Sequence, residues 1–156
     1  VPVHSNFKVT ITDDTVVNKE KTFIASIDGK RKSYNNTKVT ENTFTTYTKN
    51  LGQFTLSLDT IAPRISIGKV FKGKSLGKDK TIVFKITDEM SGIKSYNGFL
   101  NEKWVLFEYD NKSARIVYQV KEEDLVDGEN QLKLIVSDNL GNSAIFETSF
   151  FRTQKK

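Results

Sequence analysis

The sequence predicts an all-β protein built of two tandem Ig-like antiparallel β-sandwiches. Apolar and polar residues alternate with period two in short runs, and turn residues separate these runs. Thr, Val, Ile and Phe are plentiful, which favours pleated strands over helices. No amphipathic stretch with a helical period is long enough to predict a helix. Successive short strands joined by tight turns indicate antiparallel sheets.

The clearest strand predictions are alternating runs at residues 7–11, 23–27, 54–58, 82–86, 116–120 and 132–136. Residues 44–47 and 144–151 are rich in β-branched and aromatic side chains and are also predicted to be strands. Gly, Asn and Asp mark the turns between them, at 28–29, Gly73, Gly77, 127–128 and 139–142. Residues 121–125 are the weak helical candidate, where we expect a turn before a strand.

The best domain boundary lies at residues 59–63. Pro63 lacks an N–H and holds Ala62 in extended geometry, so the chain can pass directly into a new strand at 64–71. We expect residues 61–156 to form an Ig-like sandwich of about seven strands. Residues 1–60 form a smaller sandwich, which either has lost an N-terminal strand or packs against its neighbour for support.

Composition excludes several classes of protein. Hydrophobic residues make up 37% and charged residues 28% of the chain, as in ordinary globular proteins. The net charge of +5 is spread over both halves, which indicates a solvated basic surface and not a nucleic-acid site. No run approaches the ~20 apolar residues of a membrane span. The chain starts at Val1, and we expect a fragment of a longer precursor that carries the targeting segment.

The sequence contains no recognisable catalytic set. The absence of cysteine excludes disulfides, thiol catalysis and thiolate zinc sites. His4 is the single histidine, so neither a two-histidine zinc site nor a Ser-His-Asp triad is expected. No glycine-rich phosphate loop stands between a strand and a helix. We predict no catalytic residue and no enzyme activity in this chain itself.

Two aspartates end strands and run into glycine-containing turns, at residues 88–92 and 138–142. Their simplest role is structural, because a carboxylate at a strand end accepts hydrogen bonds from the N–H groups of the turn. The alternative is calcium, which takes six to eight oxygen ligands. If the turns meet at one end of a sandwich, the candidate ligands are Asp59, Asp88, Glu89, Asp138 and Asn139.

Trp104 lies in an aromatic segment, residues 102–110, and we predict that it fills the core of a central strand. Alternation places Trp104 and Val105 on opposite faces of this strand, and both faces are largely apolar. The alternative is an exposed platform on which a sugar stacks. The candidate ligand-binding partners of Trp104 in such a platform are Tyr96, Phe99 and Tyr109.

Several segments occur together in one order: residues 51–63, 84–93, 95–98, 103–110, 128–132 and 138–142. They resemble the C-terminal Ig-like region that follows the catalytic domain in Bacteroidetes-type lysostaphin-like peptidoglycan endopeptidases. The resemblance covers residues 50–152 well and residues 1–49 loosely. Its most specific parts are the tryptophan-containing segment and the Asp-Asn-Leu-Gly-Asn turn.

The resemblance implies an exported chain that is periplasmic, outer-membrane-associated or extracellular. It also implies a partner, either an upstream catalytic domain of the same polypeptide or another envelope protein. The zinc ligands of that domain lie upstream in the family, and none is placed on this sequence. We therefore expect a non-catalytic accessory module. The alternatives are a glycan- or peptidoglycan-binding module and an adhesin-like Ig repeat made rigid by calcium.

Overall fold

The chain is all-β. The computed structural model describes residues 2–69 and 80–152, and within them every element longer than a single 3-10 turn is a strand. All strand pairs in these ranges are antiparallel, and they form two tandem Ig-like sandwiches, as predicted. The same ranges hold no helix with the length and hydropathy needed to cross a membrane. The predicted turns at Gly73 and Gly77, and residues 70–71 of a predicted strand, lie outside the described residues.

The chain divides into two compact units. Unit 1 comprises the described residues up to Ile61 together with two turns from later in the chain, residues 89–92 and 139–142. Unit 2 comprises the described residues of 62–88, 93–138 and 143–156. A single linear boundary does not express this division, because two turns of the second half belong to unit 1.

Unit 1 consists of two three-stranded sheets with the orders β1-β5-β4 and β3-β2-β6. Its strands are β1 (Pro2–Thr12), β2 (Thr22–Asp28), β3 (Arg31–Tyr34), β4 (Lys38–Thr40), β5 (Thr43–Asn50) and β6 (Gln53–Leu58). A 3-10 turn at Lys19–Lys21 leads into β2. These strands contain all the runs predicted for the first half of the sequence.

The interior of unit 1 is partly polar. Phe23, Ile24 and Phe44 are fully buried and supply most of the apolar surface. Thr46 is also buried, on the inner face of β5, and its hydroxyl donates a hydrogen bond of 2.8 Å to the Asn36 carbonyl. Because that hydroxyl is satisfied, its burial costs little free energy.

Unit 2 consists of two four-stranded sheets with the orders β10-β9-β13-β14 and β11-β12-β8-β7. Its strands are β7 (Arg64–Lys69), β8 (Thr81–Thr87), β9 (Ile93–Leu100), β10 (Lys103–Val105), β11 (Glu108–Asp110), β12 (Arg115–Gln119), β13 (Glu129–Asp138) and β14 (Ser143–Phe151). The weak helical candidate is a 3-10 turn at Glu122–Asp124, which lies four residues before β13.

The core of unit 2 follows the predicted alternation. In β8 and β13 every second side chain is buried between the two sheets, and the intervening side chains face outward. The buried residues of the core are Ile82, Phe84, Ile86, Leu100, Val105, Phe107, Ile116, Tyr118, Val120, Leu132, Leu134, Val136 and Phe150. Burial of this apolar surface is the main stabilising contribution to the unit.

The chain changes sheet between β10 and β11, and Phe107 enters the core at this crossing. Its ring lies 6.0 Å from that of Phe84 and 5.3 Å from that of Tyr118, measured between centroids. On β9 it covers Gly98, where an added Cβ would lie 2.2 Å from Phe107 Cε2. Gly98 is therefore required because the phenyl ring occupies the space of a side chain.

We predict that Gly98→Ala destabilises the protein by roughly 1–3 kcal/mol, because the added methyl group overpacks a ring held on several sides. Urea denaturation measures this as a lower midpoint with an unchanged m-value. The double substitution Gly98→Ala with Phe107→Leu should lose less stability than the sum of the two single substitutions. Additive losses would contradict the contact.

Candidate functional site

A row of side chains crosses the outward face of the sheet β10-β9-β13-β14. Cross-strand pairing aligns Trp104 with Phe99, Phe99 with Lys133, and Lys133 with Glu147. By strand spacing the row is roughly 14 Å long. We call the row, together with the neighbouring outward residue Asn97, the Trp104 face.

Trp104 is exposed, and the prediction that it fills the core is wrong. Its side chain is 56% exposed, whereas Val105 and Phe107 are buried. The reason is alternation: Val105 pairs with Gly98 and points inward, so Trp104 must point outward. The indole Nε1 donates a hydrogen bond of 3.3 Å to Asn97 Oδ1. The indole is thus oriented while its ring remains accessible.

Polar groups continue the row beyond Phe99. Lys133 Nζ forms an ion pair of 2.8 Å with Glu147 Oε1. A shallow depression on this side of the sheet is lined by Phe99, Glu102, Glu129, Gln131, Lys133 and Glu147, among others. Its lining offers hydrogen-bond donors and acceptors beside apolar surface. Convergent polar groups around apolar surface are typical of small-ligand sites.

The structure separates the aromatic residues predicted to bind a ligand. Phe99 lies on the Trp104 face, but Tyr96 points to the opposite side of β9 and packs against the core. The Tyr96 ring lies 5.9 Å from that of Tyr109, between centroids. Tyr109 is 41% exposed. The predicted residues therefore contribute to two separate surfaces, and Trp104 accompanies Phe99.

Within unit 1, Asp59 joins β6 to the two later turns. Its carboxylate, which is 1% exposed, accepts hydrogen bonds from the backbone N–H of Ile61 at 3.1 Å and of Ser91 at 3.0 Å. Asn139 Nδ2 donates to the Ser91 carbonyl at 2.8 Å, and Asn142 Nδ2 donates to the Asp59 carbonyl at 3.1 Å. This is the structural role expected of a carboxylate at the end of a strand.

The other predicted calcium ligands lie at or next to strand ends. In unit 2, Asp138 is fully buried at the end of β13, where it pairs with Ile93, and Asp88 directly follows β8. Glu89 is an exposed residue that begins one of the unit 1 turns. Along the chain, Asp88 directly precedes the turn at 89–92, and Asp138 directly precedes the turn at 139–142. The calcium site itself stays a prediction.

Two pKa shifts in unit 2 have structural causes. Burial raises the pKa of Tyr118, and the hydrogen bond that its hydroxyl donates to Asp124 acts in the same direction. The Ser113 hydroxyl, which donates to Asp110 at 2.6 Å, lowers the pKa of that exposed carboxyl. Tyr118 belongs to the core and Asp110 begins a tight turn. Perturbed groups of this kind also occur in purely structural networks.

The family model of the Zu5-like domain matches residues 1–59. Among solved structures, the chain is similar to the fibronectin(III)-like modules of Clostridium thermocellum CbhA, at 12% identity and a TM-score of 0.45, covering 94% of this chain and 95% of that one. It is also similar to the N-terminal four Ig domains of Dscam1 isoform 8.4, at 15% identity and a TM-score of 0.33. That match covers 94% of this chain and 41% of the Dscam1 chain. No curated protein matches the sequence.

We predict that Asp59→Ala destabilises the protein by about 2 kcal/mol, because it leaves the buried Ser91 N–H without an acceptor. Chemical denaturation measures the loss. The matched control is Asp14→Ala, which removes the same charge from an exposed position and should change stability by less than about 0.5 kcal/mol. Equal effects of the two substitutions would show that charge alone matters.

The calcium hypothesis predicts that millimolar Ca²⁺ raises the melting temperature and that a chelator reverses the rise, because a cation bound only by the folded state stabilises it. Asp138→Asn should abolish the response without unfolding the chain. Scanning calorimetry with Ca²⁺, with Mg²⁺ and with chelator makes the measurement. Identical melting curves in all conditions would reject calcium binding.

Proposed function

We propose that this chain is a non-catalytic glycan-binding module and that the Trp104 face is its binding surface. The observation that carries the proposal is the exposed, oriented Trp104 beside Phe99 in a row that continues into polar side chains. Ig-like sandwiches serve many cell-surface modules as scaffolds that hold such surfaces.

The chemistry of the face suits a sugar chain. A pyranose ring has an apolar side of C–H groups, which stacks on an aromatic ring, and a rim of hydroxyls that donate and accept hydrogen bonds. Trp104 supplies the aromatic ring, while Asn97, Lys133 and Glu147 supply polar groups on the same face. Because these groups stand on a sheet, they are held before the ligand arrives.

The charge of the face favours a neutral glycan. Lys133 is neutralised by its ion pair with Glu147. The other charged residues lining the depression, Glu102 and Glu129, are acidic and exposed. An anionic chain would meet these carboxylates, whereas uncharged hydroxyl and amide groups would not.

The biological setting follows from the sequence resemblance alone. In that setting the chain is exported, follows or accompanies a peptidoglycan-cleaving catalytic domain, and holds that domain at its substrate. The glycan strand of peptidoglycan is then the natural ligand class, and the module adds binding without chemistry. The envelope location and the upstream peptidase remain proposals on this basis.

Trp104 is the single tryptophan of the chain, so its fluorescence reports directly on the proposed surface. We predict that titration with chitin hexasaccharide, which is uncharged, changes the emission of Trp104, and that binding to purified sacculi saturates. Trp104→Ala should weaken sacculus binding roughly tenfold, because an aromatic stacking contact is lost.

Tyr109→Ala is the matched control, because it removes a partly exposed aromatic ring from the other surface of unit 2. It should leave sacculus binding unchanged. Loss of binding in Tyr109→Ala and not in Trp104→Ala would place the site at the Tyr96–Tyr109 pair. No binding by the unsubstituted chain to any of these glycans would reject the proposed function.

A further inference from the structure

The outward face of the sheet β1-β5-β4 in unit 1 is basic and rich in hydroxyl groups. Side chains alternate along each strand, and those that point away from the interior of unit 1 share one face. They are Lys8, Thr10, Thr12, Lys38, Thr40, Thr43, Thr45, Tyr47 and Lys49. We call this set the Tyr47 face. It contains lysine, threonine and one tyrosine, and no carboxylate.

The pairing register places the cations around an exposed aromatic ring. Tyr47, which is 64% exposed, stands on the central strand directly opposite Lys8 on β1. Thr45 is the next residue on the same side of β5 and pairs with Lys38 on β4. These residues also line a groove together with Asn36 and Thr40. Aromatic, hydroxyl, amide and ammonium groups therefore meet in one concave strip.

The lysines of the Tyr47 face carry uncompensated charge. Among residues 2–69 and 80–152, none of Lys8, Lys38 and Lys49 forms an ion pair, in contrast to Lys133 of unit 2. The nearest acidic residues in the sequence, Asp13 and Glu41, follow the C-terminal ends of β1 and β4, which both pair with Thr43 at the far end of β5 from Tyr47. The groove is thus positive at the end that holds Tyr47.

We propose that the Tyr47 face binds an acidic polysaccharide. Lys8 and Lys38 would contact carboxylates of successive sugar units, because ammonium groups form charge-assisted hydrogen bonds with them. The threonine hydroxyls and the Asn36 amide would bond to sugar hydroxyls, and Tyr47 would stack on a ring. The positive charge distinguishes this ligand class from the neutral glycan proposed for unit 2, and neither proposal depends on the other.

A nucleic acid fits this face less well than a polysaccharide. Single-stranded binders stack successive bases on several aromatic rings, and arginine often contributes. The Tyr47 face offers one ring and no arginine. Its threonine hydroxyls, spaced along three strands, match a ligand with hydroxyl groups on every unit.

The test is binding of the 156-residue chain to immobilised polygalacturonate at low and high salt. Lys8→Gln with Lys38→Gln should weaken binding about tenfold, because both ammonium contacts to the carboxylates of the ligand are lost. The control is Lys30→Gln with Arg31→Gln, which removes the same charge at the β2–β3 turn and should change binding less than about twofold. Melting curves confirm that each variant folds.

Tyr47→Ser provides a second variant that changes no charge, and it should weaken polygalacturonate binding at both salt concentrations. Equal losses from the two charge-removing pairs would overturn the proposal in favour of non-specific attraction. Single-stranded DNA that binds as tightly as polygalacturonate, with the same dependence on Lys8 and Lys38, would also overturn it. Failure of the unsubstituted chain to bind polygalacturonate at low salt would overturn the proposal as well. Because unit 2 carries the Trp104 face, Trp104→Ala should leave this binding unchanged.

Discussion

The contact between Phe107 and Gly98 determines how the aromatic segment of unit 2 is arranged. Phe107 requires a position without a Cβ on β9, and Gly98 supplies it. Val105 pairs with Gly98 and faces the interior of unit 2. Because side chains alternate along a strand, Trp104 must then face solvent. The exposure of the Trp104 indole is thus a consequence of how Phe107 packs on Gly98 in the core.

Period-two alternation made most of the fold predictable. The runs at residues 82–86 and 132–136 are strands with their predicted inward faces because apolar side chains must leave water together. The same rule was insufficient at 103–110, where both faces are apolar. Which face is buried there depends on the packing of the Phe107 ring against Gly98 on β9. The sequence alone does not show that these two residues are in contact. The tryptophan was therefore assigned to the wrong side.

The candidate site could be predicted only in part, for a similar reason. Phe99 was identified, but Lys133 and Glu147 join it through strand pairing across β13 and β14. The sequence also could not predict which residues belong to unit 1. The turn at 89–92 is bonded to the buried carboxylate of Asp59 and the turn at 139–142 to its backbone carbonyl, and such long-range hydrogen bonds leave no local pattern in the sequence.

The row from Trp104 to Glu147 is shallow and open, and this shape sets the kind of ligand contact that it can make. An open strip excludes little water and immobilises few groups, so each encounter is brief. A polymer that repeats the same unit offers another site within reach after every release, which raises the effective concentration near the surface. Under the proposed function, such a strip would let the module move along a glycan chain while remaining attached, which a deep pocket would prevent.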